Sequence, residues 1–133
     1  MQSKKSIYKK PYEKVDSVDE SVWFSNDTPI METDFTFVFN DKYPCVPGHK
    51  LFIPKENNSH FIGRSYGMAY DYGNEKIKKG EIDGYNVGMN IGLCAGQTIM
   101  WPHIHFIPRH KNDSEEIGGM RHAHPSADHK KYY

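Results

Sequence analysis

Neither sign of charge dominates this sequence: 17 lysines and arginines stand against 17 aspartates and glutamates over 133 residues. With no net charge there is no long-range field to gather nucleic acid or an anionic membrane surface, so neither is an expected partner and an anionic ligand must be captured locally. Cysteine is scarce. Cys45 and Cys94 have no metal-type spacing and no second pair, which excludes a disulfide scaffold or zinc ribbon and fits a reducing, cytoplasmic setting. No apolar run approaches the roughly 18 to 20 residues that span a bilayer, and nothing at the start reads as a secretion signal, so a soluble chain is expected. Internal repeats are lacking as well, and the length supports one ordinary core rather than two.

What the sequence does contain is alternation. Residues 1–20 begin with Lys4, Lys5, Lys9 and Lys10, turn acidic at Asp16, Asp19 and Glu20, and carry few large aliphatics; they read as a loosely ordered, solvated arm. A single domain is expected over 21–121, followed by a His-rich tail over 122–133. Phe35, Phe37 and Phe39 alternate with Thr36, Val38 and Asn40 as in a half-buried strand. Beyond the Pro47-Gly48 turn, His49, Leu51 and Ile53 share one face, Phe52 lies on the other, and Pro54 ends the run. Two antiparallel strands account for this. Residues 59 to about 80 fit a helix with Phe61, Met68, Ala69, Tyr72 and Ile77 on one face, weakened by Gly63, Gly67 and Gly73. Asn86 to Ile91 predicts a third strand, and Met100 to Ile107 a fourth with Pro102 at an edge or bulge. The order predicts an α+β domain with a mainly antiparallel sheet.

The fourth strand carries two histidines, His103 and His105, on one face. Their backbones stand roughly 6.5 to 7 Å apart, so both imidazoles reach one ligand. Imidazole at neutral pH serves as nucleophile, general acid or base, or metal ligand, and the pair alone leaves incidental, metal-binding and catalytic readings open. Upstream lies Asn90-Ile91-Gly92-Leu93-Cys94-Ala95-Gly96-Gln97-Thr98. Its glycines expose backbone N–H groups, while Asn90, Gln97 and Thr98 add neutral donors, a combination suited to phosphate oxygens. An ordinary turn is the alternative.

Here the residues resemble the histidine triad (HIT) family, whose signature is His-φ-His-φ-His-φ-φ, with φ apolar, commonly preceded by Gly-Gln-Thr or Gly-Gln-Ser and followed by Pro-Arg. Gly96-Gln97-Thr98 precedes and Pro108-Arg109 follows without a gap, so Trp101 stands at the first histidine position, His103 at the second and His105 at the third. Pro44-Cys45-Val46-Pro47-Gly48-His49-Lys50-Leu51-Phe52-Ile53-Pro54-Lys55 is similar to the family's Pro-x-x-Pro-Gly-His-x-Leu-x-Ile-Pro-Lys segment, and Gly84-Tyr85-Asn86-Val87-Gly88-Met89-Asn90 to its strand before the loop. Asp113 and Gly118-Gly119-Met120-Arg121 resemble the tail of bacterial members that look like diadenosine polyphosphate hydrolases. The likeness runs from about Trp23 to Arg121.

The resemblance implies a HIT-like fold of about five strands with one main helix, and a nucleotide hydrolase in which His103 attacks the α-phosphorus and forms a nucleotidyl-histidine that water resolves. It further implies that Asn90, Gly96, Gln97, Thr98, His105 and His49 contact phosphate oxygens or orient the leaving group, that Asp41 holds the ribose hydroxyls, and that Phe39 walls the base pocket. No metal or other cofactor is required, and a homodimer is implied. Dinucleoside polyphosphates such as diadenosine tetraphosphate are the first substrate class, nucleoside phosphoramidates or nucleotidyl transfer the second. His105, where transferase branches carry glutamine, favours hydrolysis. Trp101, whose indole N–H only donates, motivates a non-catalytic nucleotide-binding module as the reading of another class. Metal binding through His103 and His105, or through His110, His122, His124 and His129 of the C-terminal region, is a further alternative. Trp23 and Phe24 line the base pocket or pack in the core.

Overall fold

The computed structural model describes residues 13–115 and 118–128. Five strands form one antiparallel sheet: β1 (Met31–Glu32), β2 (Thr36–Asn40), β3 (Lys50–Pro54), β4 (Gly84–Gly88) and β5 (Ile104–Arg109), in the order β1-β2-β3-β5-β4. Two helices accompany them, the short α1 (Val22–Asn26) and the long α2 (Ser59–Lys78). The strand carrying His105 is therefore interior, with Leu51 of β3 on one side and Gly88 of β4 on the other. The expected α+β, HIT-like architecture is the one observed. No helix among the described residues is long and apolar enough to cross a membrane.

Alternation along the strands divides the core into two layers. On one face Val38, Phe52, Ile104 and Phe106 pack against Ala69, with Tyr66 and Tyr72 of α2 closing around them. On the other, Phe39, Leu51, Ile53, Ile99 and Trp101 pack with Trp23 of α1 and Val18. Lys14 makes an isolated bridge to Met100, so the described part of the segment expected to be an arm is joined to the domain. Residues 1–12 and His129 lie outside the described residues.

Several boundaries differ from the sequence expectation. The last strand starts at Ile104, which leaves Pro102 ahead of it rather than inside it, and runs to Arg109. Pro108 is tolerated because β3 pairs only with residues up to Phe106, so β5 has a single neighbour there. The third expected strand ends at Gly88. Continuing its register would place Ile91 opposite Pro102, which has no N–H to give. The helix matches its expected span, with the Asn58 side chain capping it by accepting from the Phe61 N–H at 2.9 Å. Its buried residues are Ser65, Ala69 and Gly73, whereas Ile77, expected on that face, is exposed. Neither β1 nor α1 was anticipated as an element.

Gly73 is the helix glycine that packing demands. A Cβ there would stand 2.6 and 2.7 Å from Cδ1 and Cζ of Tyr85, a ring held by its hydroxyl bond to Asn74, whereas a Cβ at Gly63 or Gly67 meets nothing. Alanine gains about 1 kcal/mol over glycine inside a helix, and overpacking costs about 1–3 kcal/mol. Gly67→Ala is thus expected to raise the urea midpoint and Gly73→Ala to lower it. Equal shifts of one sign would contradict the packing described.

Candidate active site

The loop that returns the chain from β4 to β5 delivers His103 immediately before the strand and His105 one step inside it. His103 is 6% exposed, with its ring 5.0 Å from Trp23 on one side and 5.3 Å from His105 on the other. Its Nδ1 lies 2.7 Å from the Trp101 carbonyl oxygen. A carbonyl only accepts, so Nδ1 carries the hydrogen and the lone pair of the neutral ring sits on Nε2.

The next two imidazoles are ordered in the opposite sense. The Cys45 backbone N–H donates to His49 Nδ1 at 3.2 Å, which puts the hydrogen of neutral His49 on Nε2. That nitrogen is 2.9 Å from His105 Nδ1 and 3.2 Å from Asp41 Oδ2. His105 accepts at Nδ1 and so bears its hydrogen on Nε2. Two backbone groups, the Trp101 carbonyl and the Cys45 amide, thereby give neighbouring rings complementary roles: His103 offers a lone pair and His105 a proton.

Burial keeps these rings neutral. Desolvation pushes the pKa of His49 and of His103 below the ordinary histidine value, against the pull of Asp41 on each and of the Trp101 carbonyl on His103. His105 is pushed down to about 4, first by desolvation and then by His103 and His49, with Asp41 opposing. Because His105 is harder to protonate folded than unfolded, where its pKa is about 6.5, its contribution to stability is complete above pH 6.5 and is lost as pH falls towards 4. The thermal midpoint is expected to fall over that window more steeply in the wild type than in His105→Asn. Parallel profiles would contradict the neutral cluster.

The structure brings Asp41, His49, His103 and His105 together and places the other expected residues differently. Gly92 and Gly96 adopt φ of +91° and +92°, which favours glycine and lets the turn around Leu93–Ala95 close. Asn90 lies beneath Gly96, whose Cβ position is 3.9 Å from Asn90 Nδ2. Gln97 spends both ends of its amide on the loop, accepting from the Gly92 N–H at 2.9 Å and donating to the Ile99 carbonyl at 3.0 Å. Thr98 is exposed. Phe39 is fully buried, with Phe24 edge-on to it at 5.4 Å, so it supports the Trp23 side of the site from below. Trp23 was open between pocket and core; it occupies both, buried in the core layer with its ring against His103. No residue pattern signals the use of backbone groups, above all the Trp101 carbonyl, to fix the imidazoles.

Trp101 itself faces inward. It is 3% exposed and its indole N–H donates to the Pro54 carbonyl at 2.9 Å. Farther along, Arg109 binds Asp113 through two nitrogens at 2.9 Å and reaches Asn86 and the Gly118 carbonyl, which ties the segment after β5 to the sheet.

The model of the HIT domain family matches residues 25–112. An uncharacterized HIT-like protein of Methanocaldococcus jannaschii is 31% identical over 94 residues, covering 66% of this chain and 73% of that protein. Adenosine 5'-monophosphoramidase of Saccharomyces cerevisiae is 32% identical over 93 residues, 68% of this chain and 59% of that enzyme. The crystal structure of a HIT-like protein from Bartonella henselae shares the fold, with a TM-score of 0.59 at 24% identity over 65% of this chain and 69% of that one. The matched span contains every strand and the long helix α2 together with Asp41, His49, His103 and His105, and the chain belongs to the histidine triad family.

Proposed function

We propose that the protein is a nucleotide hydrolase that cleaves at the α-phosphate through a nucleotidyl intermediate on His103. The observation that carries this reading is the 2.7 Å bond from His103 Nδ1 to the Trp101 carbonyl, which leaves a lone pair on Nε2 of a buried neutral imidazole. Nε2 attacks the α-phosphorus, the bond from phosphorus to the leaving group breaks, and water then attacks the phosphorus to release a nucleoside monophosphate and free His103. His105, with its hydrogen on Nε2, donates to a phosphoryl oxygen or to the leaving group. His49, whose Nε2–H is donated to His105 Nδ1, holds His105 in that tautomer, and Asp41 serves the ribose hydroxyls. In the Gly92–Thr98 loop the N–H groups of Gly92, Ala95, Gly96 and Gln97 bond within the loop, so those of Leu93, Cys94 and Thr98 are the ones offered to the phosphate, with Asn90 and Gln97 shaping the loop. Trp101 stands at the first triad position as a structural side chain with a functional carbonyl.

Dinucleoside polyphosphates are the first substrate class, supported by the likeness of Asp113 and Gly118–Arg121 to the tail of such hydrolases. Nucleoside phosphoramidates are the second, supported by the yeast relative. A cytoplasmic homodimer accompanies either. The test is a panel of diadenosine polyphosphates, nucleoside phosphoramidates and conjugated nucleotides, read by product chromatography beside His103→Ala. A nucleoside monophosphate released from at least one class by the wild type alone is expected. No product from any class would leave a non-catalytic nucleotide-binding module in its place.

A further inference from the structure

We propose that Asp41, His49 and His105 together form a binding site for one divalent cation of the zinc class. Asp41 Oδ2, His49 Nε2 and His105 Nδ1 lie 3.2, 2.9 and 3.7 Å from one another. Atoms that share one such ion at about 2.0–2.2 Å stand about 3 to 3.5 Å apart, so small side-chain shifts suffice to bring all three onto it. Among the described residues no other trio of His, Cys, Asp or Glu converges in this way.

The donor set selects the ion. Two imidazole nitrogens and one carboxylate suit zinc, cobalt or nickel, whereas magnesium and calcium prefer oxygen alone. His49 is buried, while the Asp41 and His105 side chains are 12% and 25% exposed. The three atoms are enclosed on the protein side, with solvent left to supply a fourth ligand. His103 stands apart from the set, its Nδ1 being held by the Trp101 carbonyl.

The ion takes the place of a proton. In the metal-free protein His49 Nε2 carries the hydrogen that the three atoms share. On binding, that hydrogen moves to Nδ1, and the bond from the Cys45 N–H to Nδ1 is given up. The exposed turn bearing Cys45 must then shift. Bound metal also occupies Asp41 and the proton-ordering nitrogen of His105, so metal and nucleotide exclude each other; this last statement rests on the proposed role of Asp41 in holding ribose.

The test is a titration of the full chain with Co²⁺, followed by its visible spectrum and by the Cys45 amide resonance. One equivalent is expected to saturate an intense visible band and to displace the Cys45 amide signal, and Zn²⁺ is expected to abolish the band. Asp41→Asn and His49→Asn should weaken binding at least tenfold. A quadruple alanine variant at His110, His122, His124 and His129 should bind as the wild type does. Absence of stoichiometric binding would overturn the proposal, as would binding lost in the tail variant and kept in Asp41→Asn. AMP is expected to displace the ion. Cobalt held by the three residues and indifferent to AMP would count against the nucleotide reading of Asp41 and leave the metal site standing.

Discussion

His103→Ala is expected to reduce nucleotide turnover by on the order of 10⁴-fold or more, the scale on which removal of a covalent nucleophile is felt. The size of the loss follows from how the neighbouring nitrogens are committed. His49 Nδ1 accepts from the Cys45 amide, His105 Nδ1 accepts from His49, and each remaining nitrogen bears a hydrogen. Only His103 presents a lone pair, because the Trp101 carbonyl holds its hydrogen on the far side of the ring. Alanine leaves the loop, Asp41 and His105 in place, so binding of a non-hydrolysable nucleotide should persist while turnover vanishes. Turnover within tenfold of the wild type would remove His103 from the chemistry.

Trp101→Ala should produce the largest loss of stability, about 3–5 kcal/mol, as for other large-to-small changes in a packed core. Trp101 lies in the layer with Trp23, Phe39, Leu51, Ile53 and Ile99, and its indole N–H is the donor to the Pro54 carbonyl where β3 ends. Truncation opens a cavity and leaves that carbonyl without its donor. A domain of this size is held by about 5–15 kcal/mol in all, so a substantial part of the folded population is at stake. Urea denaturation measures the effect directly. Trp101→Phe retains most of the volume and loses chiefly the hydrogen bond, worth about 1 kcal/mol. It retains the backbone carbonyl too, so the wild-type turnover should survive in it. A folded Trp101→Phe with turnover lost would place the indole itself in the reaction.

The strands were legible from their alternation: Phe35 to Phe39 and His49 to Ile53 divide between the two faces as expected, but Thr36 and Val38, read as the less apolar side of a half-buried strand, are fully buried beneath α2 because the sheet is covered on both faces. The span of α2 was legible from its period despite three glycines. Boundaries at proline were harder to place. Pro102 ends the reach of β4 as well as the start of β5, an effect visible only once the two strands are paired. The two-residue β1 and five-residue α1 are too short for periodicity to register. In the site, the family resemblance picked out His103, His105, His49 and Asp41, which the fold brings together. The tautomers were not legible, since they depend on the Trp101 carbonyl and the Cys45 amide, groups that every residue type possesses. The same holds for Gln97, which resembles a phosphate ligand by position but has its amide engaged by Gly92 and Ile99.

The most direct test of the central claim is a single-turnover reaction with enzyme in excess over a diadenosine polyphosphate or an adenosine phosphoramidate, quenched on the millisecond scale at alkaline pH and read by peptide mass spectrometry. The predicted result is an adenylyl adduct on the peptide containing His103, formed and lost at rates that account for turnover. Substrate consumed at the full rate with no adduct, or with the adduct on another residue, would contradict it.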